Sequence, residues 1–224
     1  MTELLAQSGV KHNRIIGVDI DPEMTAFAQQ NHKSVDSVEY WTQDMSLSWD
    51  ELTPRVRELE GRVSLIVSNI ALQGIKNKSQ LMAVLCKLLA TEGVIVAHIE
   101  PGILFELIST VSHKLDPGAY LQDVTLWRDV CLAEGLSVQT CDLFEMVVRL
   151  TKKQALETLF IRPGRLYPET TPAYRLRRNL RFDRMVRPNA EHPNPRAWDE
   201  MVADESLREL DFYKQFVRMY CQKK

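Results

Sequence analysis

IIGVDIDPEMTAFAQQN, residues 15–31, decides how this chain is read. Ile15, Ile16, Val18 and Ile20 make a short apolar run that ends among Asp19 and Asp21. Pro22 and the spacing Met24, Phe27, Ala28 then predict a helix. Asp21 can cap that helix, and Pro22 can occupy its first turn, where a missing N–H costs nothing. The stretch is a strand feeding a helix, almost at the start of the chain. A strand with an acidic tip of this kind normally follows another strand and a glycine-rich turn.

Strand and helix signals keep alternating beyond it, as a mostly parallel sheet covered by helices dictates. Val38 to Thr42 reads as a short strand ending near Asp44. Ser48-Trp49-Asp50-Glu51 is a capping-box signature for a helix through Leu59, stopped at Gly61. Val63 to Ser68 is a third strand. Leu81, Val84, Leu85, Leu88 and Leu89 recur at helical spacing up to Glu92-Gly93, and Val94 to Ile99 is again a strand. Helices are expected over Ile103 to His113 and Leu121 to Glu134, and strands over Ser137 to Cys141 and Met146 to Leu150.

The pattern changes after Lys152. Prolines 163, 168, 172, 188, 193 and 195 predict irregular connections. Trp198, Met201 and Val202 share one helical face, and a second capping box at Ser206 to Glu209 predicts a helix to Cys221, with Leu210, Tyr213, Phe216, Val217 and Tyr220 as its apolar stripe. The expected organisation is an α/β domain over residues 1–150 and a helical C-terminal extension over 151–224.

With 28 basic against 30 acidic residues, the whole-molecule charge gives no reason to expect nucleic acid or an anionic membrane as a partner. The arginine-rich stretch from Tyr174 to Pro188 is followed by Asp199, Glu200, Asp204, Glu205, Glu209 and Asp211, so pairing between the segments or a solvated surface is expected. Cys86, Cys131, Cys141 and Cys221 form no C-x-x-C pair, no signal peptide pattern precedes them, and no apolar run is long enough to span a bilayer. A cytoplasmic protein with reduced thiols and no bound metal is expected.

GVDIDPEM, TQDM, SLIVSNIALQGI, LLATEGVIVAHIEPG and LAEGLSVQTC follow one another in an order and spacing that resembles the class I S-adenosylmethionine-dependent methyltransferases. VDIDPEMTAFAQQNH and SNIALQGI are most similar to small-molecule methyltransferases of the arthropod juvenile hormone acid methyltransferase type. The resemblance covers roughly residues 1 to 150. It implies a Rossmann-like sheet, S-adenosylmethionine as cofactor and a small-molecule acceptor, with a carboxylic acid as the family's example.

By that resemblance Asp19 holds the cofactor's ribose hydroxyls, which suits an acceptor-only carboxylate at a strand tip. Ile20 packs against the adenine, Asp44 faces the adenine amino group with the Met45 backbone beside it, and Asn69 stands close to the reacting methyl. Gln73 follows on the acceptor side, and Gly74 occupies a place where the family usually has an aromatic residue. Plainer roles also fit these residue types: helix capping for Asp19, a loop for Asp44, a turn for Asn69. His98 and Glu100 end the next strand, where a base or an ordinary polar strand end are both expected readings.

The resemblance also implies a first strand at the centre of the sheet, between the one holding Asp19 and the one holding Asn69, followed by a D-x-G-x-G type loop. MTELLAQSGVKHNR resembles only the end of the following helix, so the chain reads as N-terminally truncated relative to the family. Either the two flanking strands pair directly or the fold is weak. A non-catalytic interaction protein and a dinucleotide-dependent oxidoreductase are the competing functions, and the oligomeric state is open.

Overall fold

A computed structural model describes residues 2–31, 37–101, 117–151, 154 and 209–224. The elements are α1 (Thr2–Gln7), β1 (Ile15–Asp19), α2 (Pro22–Asn31), β2 (Val38–Thr42), α3 (Pro54–Arg57), β3 (Val63–Asn69), α4 (Lys78–Leu88), β4 (Leu89–Ile99), α5 (Pro117–Ala133), β5 (Leu136–Thr151) and β6 (Glu209–Lys223). The helix expected over Ile103 to His113, the proline-rich segment, the arginine-rich stretch and the helix face at Trp198, Met201 and Val202 lie outside the described residues.

The strands form two sheets. β1 and β2 are a parallel pair, and the second sheet runs β3-β4-β6-β5. β3 lies parallel to β4, while β6 is antiparallel to both its neighbours. β1 and β3, the strands expected to flank a missing one, do not pair. Each keeps one edge without a strand partner among the described residues. The halves are joined by side chains: Trp41 of β2 shares one buried cluster with Leu52, Val56, Leu81 and Leu85.

The long second sheet is where the core is deepest. Ile95, Ala97 and Ile99 of β4 and Val217, Met219 and Cys221 of β6 are fully buried, facing Leu81, Met82 and Leu85 of α4 and Trp127 and Cys131 of α5. Each large apolar side chain removed from water here contributes about 1.5–3 kcal/mol.

Three expectations need correction. The segment Ser206 to Cys221 is not a helix where it is described: β6 is a strand inserted between β4 and β5, paired along its length with β5. Residues 209–223 thus belong to the same sheet as β3, β4 and β5. The stretch from Ser48 to Leu59 is not one helix either. Its capping box is present, but Pro54 forces Thr53 into an extended conformation (φ −59°, ψ 146°), so a short 3₁₀ turn at Trp49–Glu51 and α3 replace it. The two strands expected in 137–150 are one, β5.

β4 also starts earlier than the helical spacing suggests. Leu89 pairs with Val63, then the register jumps so that Val94 faces Leu65. The intervening residues bulge through Glu92, at φ 62°, and Gly93, where a Cβ would lie 2.8 Å from the carbonyl oxygens of both Ala90 and Val63. Glycine is required there by space.

Candidate cofactor site

Asp19 is the last residue of β1 and is opposite Thr42, the last of β2. Its carbonyl accepts the Gln43 N–H at 2.9 Å, which fixes the chain just before Asp44 beside the tip of β1. The Asp19 Oδ1 accepts the Asp21 N–H at 2.9 Å, and Asp21 Oδ1 in turn accepts the Glu23 N–H at 2.8 Å in the first turn of α2. This leaves Asp19 exposed, oriented by its own turn, with Oδ2 available as an acceptor for a diol. Ile20 next to it is 62% exposed, an apolar side chain held open beside the carboxylate.

The turn after β2 is built by its neighbours. Buried Gln43 accepts through Oε1 from the Thr53 N–H and Oγ1 at 3.0 and 2.9 Å, and its Nε2 donates to the Asp44 carbonyl at 2.9 Å. Asp44 Oδ1 accepts the Ser46 N–H at 2.8 Å, an Asx turn. Met45 packs against the common core. Gln80 Nε2 of α4 donates to the Ser46 carbonyl at 2.6 Å, tying this turn to the second sheet.

Across that link, β3 ends at exposed Asn69, opposite His98. Ile70 follows with φ 56°, a left-handed conformation that a β-branched side chain resists, and is held there by its N–H donating to the His98 carbonyl at 2.8 Å. The chain then enters a 3₁₀ turn, Leu72–Gly74, which carries Gln73. Among the described residues, Gln73 Oε1 and Ser68 Oγ are buried without hydrogen-bond partners. Unsatisfied polar atoms of this kind are rare and require an explanation, of which a ligand or water is the simplest.

Sequence reasoning missed Lys78, the residue that shapes this turn. Its Nζ donates to the Gln73 carbonyl at 3.1 Å and to the Ile75 carbonyl, and lies 5.2 Å from the Trp127 ring centroid. Burial lowers its pKa, with Asp123 opposing the shift. Nothing in IKNKSQ marks it, because its partners are main-chain atoms and a tryptophan on α5. His98, by contrast, is packed between rings: Phe144 stacks at 6.0 Å and Phe216 lies at 6.4 Å.

The structure therefore places Asp19, Ile20, Asp44 and Met45 together at the ends of β1 and β2, and Asn69 and Gln73 together at the end of β3. An acidic strand tip on β1, a second carboxylate after β2 and a strained turn after β3 all stand at carboxyl ends of parallel strands, where open α/β sheets bind ligands. Residues 1–97 match a family described as methyltransferase domain.

The N-terminal part of this chain is similar to a methyltransferase domain.

Its fold is the α/β, Rossmann-like one of class I methyltransferases, and its cofactor is S-adenosylmethionine. Among solved structures, YcgJ of Bacillus subtilis aligns over 95% of this chain and 83% of its own, at 12% identity and a TM-score of 0.54. BH2331 of Bacillus halodurans aligns over 93% and 82%, at 12% identity and 0.50. The [4+2]-cyclase SpnF aligns over 98% and 70%, at 10% identity and 0.50. At such identities the likeness is one of fold. No curated protein sequence matches the chain. Among the described residues, no helix is long and apolar enough to cross a membrane.

Proposed function

We propose that this methyltransferase domain acts on a small-molecule acceptor, with a carboxylic acid of the juvenile hormone acid type as the first candidate. The observation that supports the reading is the pair of carboxylates, Asp19 and Asp44, at the carboxyl ends of the parallel strands β1 and β2, where a Rossmann-like sheet receives the adenosine part of its cofactor. In this reading the Asp19 carboxylate accepts the two ribose hydroxyls, Ile20 covers one adenine face, and Asp44 with the Met45 main chain receives the adenine edge. Asn69 and Gln73 position the acceptor.

S-adenosylmethionine supplies an electrophilic methyl on a positively charged sulfur that is a good leaving group. The protein's part is then to hold donor and acceptor in line and to exclude water. A carboxylate acceptor is already ionised at neutral pH, so the arrangement needs no general base, in keeping with His98 being packed between phenylalanines.

The experiment follows methyl transfer from labelled cofactor to a panel of fatty and terpenoid acids. Transfer to an acid supports the proposal. Transfer only to non-acid acceptors, or to none, would remove the carboxylate.

A further inference from the structure

Of the four cysteines, Cys131 and Cys221 meet in the core, with Cys131 as the hub of a sulfur cluster. Its Sγ on α5 lies 3.5 Å from Cys221 Sγ and 3.4 Å from Met219 Sδ, both on the same face of β6, and 3.9 Å from Met82 Sδ on α4. All four residues are fully buried. We propose that Cys131, Cys221 and Met219, with Met82 behind them, form a binding site for a soft monovalent metal ion of the copper(I) type.

The donor set decides the metal class. Among the described residues, no three His, Cys, Asp or Glu side chains converge, so zinc, calcium or magnesium has no site of its own kind here. Two thiolates and thioethers with no oxygen or nitrogen donor select soft ions. Spacing agrees. With metal–sulfur bonds of about 2.3 Å, sulfurs around one ion sit about 4.0 Å apart, so the Cys131–Cys221 and Cys131–Met219 separations need to widen by only about half an ångström. A disulfide would instead require Cys131 and Cys221 to close to about 2.05 Å, would need an oxidant, and would give Met219 no role.

The charge balance is explicit. Each thiol releases its proton to solvent, one positive ion enters, and the site ends with a single negative charge spread over polarizable sulfurs. Arg128 lies one helical turn before Cys131, its Nη2 donating to the Cys141 carbonyl at 2.9 Å. Because both thiols must give up a proton to bind the ion, affinity climbs with pH. Because the sulfurs are sealed, loading requires α5 and β6 to part and should be slow.

The test uses silver(I), a redox-inert probe, on the reduced full chain without air. The protein carries methionines labelled with carbon-13 at the methyl group. Expected is one silver ion per chain surviving desalting, with shifts at the Met219 and Met82 methyls, two of eight methionines. Cys131→Ser and Cys221→Ser should each abolish retention. Met219→Leu, which preserves volume, should weaken it at least 10-fold, and Cys86→Ser should leave it unchanged. Equal retention by Cys131→Ser, loss in Cys86→Ser, or silver bound with unmoved methionine methyls would each overturn the site.

Discussion

The ammonium of Lys78 lies 5.2 Å from the centroid of the Trp127 ring while donating to the carbonyls of Gln73 and Ile75, so one side chain fastens the turn after β3 to α5. Lys78→Met leaves two inward carbonyls without a donor and should cost about 1–3 kcal/mol, lowering the melting temperature by about 2–10 °C. Trp127 is buried and should report the change as an emission shift. Burial lowers the Lys78 pKa, so the folded state releases this proton at a lower pH than the unfolded chain. Wild type should therefore gain stability relative to the mutant as pH rises toward about 10.4. A gap that narrows over that range would contradict the assignment.

Glu39 is held by three donors: Arg14 Nε at 2.6 Å, Arg14 Nη2 at 2.9 Å and Trp41 Nε1 at 3.0 Å. The Arg14 hydrogen bond, then that from Trp41, bring its pKa down to about 2. Such a group stabilises fully above its unfolded pKa of about 4.3, and the contribution disappears as pH falls through about 2. Both side chains are over 40% exposed, so Glu39→Gln should cost only about 0.2–1 kcal/mol at pH 7. Urea midpoints should converge by pH 2. An undiminished difference there would mean the ion pair is not its source.

Gly93 stands where a methyl group would press on two carbonyl oxygens at once. Gly93→Ala should destabilise by about 1–3 kcal/mol through displacement of the bulge between Leu89 and Val94. Thermal unfolding measures it. An unchanged melting temperature would show that the bulge can relax at no cost.

Removing residues 209–224 takes away the strand between β4 and β5 and the buried Phe216, Val217, Met219 and Cys221. The shortened chain should lose its cooperative transition in circular dichroism melting. Retention of a sharp transition near the original temperature would show that the sheet does not depend on β6.

The sequence was most legible where one signal had no rival. Ile15 to Asp19, Val38 to Thr42 and Val63 to Asn69 are short apolar runs ended by polar residues, and all three are strands. Asp19 and Asp44 came out beside one another because their positions follow from two parallel strands in register. The tail misled because its apolar residues satisfy two periods. Tyr213, Val217 and Tyr220 fit a helix, but Val217, Met219 and Cys221 alternate with Arg218 and Tyr220, and the buried alternation is the one observed. The partner that selects between them, β5, lies some seventy residues away, which local patterning does not register. Lys78, the Ile70 strain and the sulfur cluster were invisible for the same reason, since each exists only through tertiary contacts.

The proposed role of Asp19 in holding the cofactor's ribose carries the account of function, and calorimetric titration with S-adenosylhomocysteine tests it most directly. Asp19 Oδ1 is engaged with the Asp21 N–H while the carboxylate remains exposed at the end of β1. Asp19→Ala removes charge-assisted hydrogen bonds worth about 1–3 kcal/mol, so its affinity should fall about 5- to 150-fold from that of the wild-type chain. Circular dichroism should show that the mutant remains folded. Equal affinity in the two proteins would place the cofactor elsewhere and contradict the account.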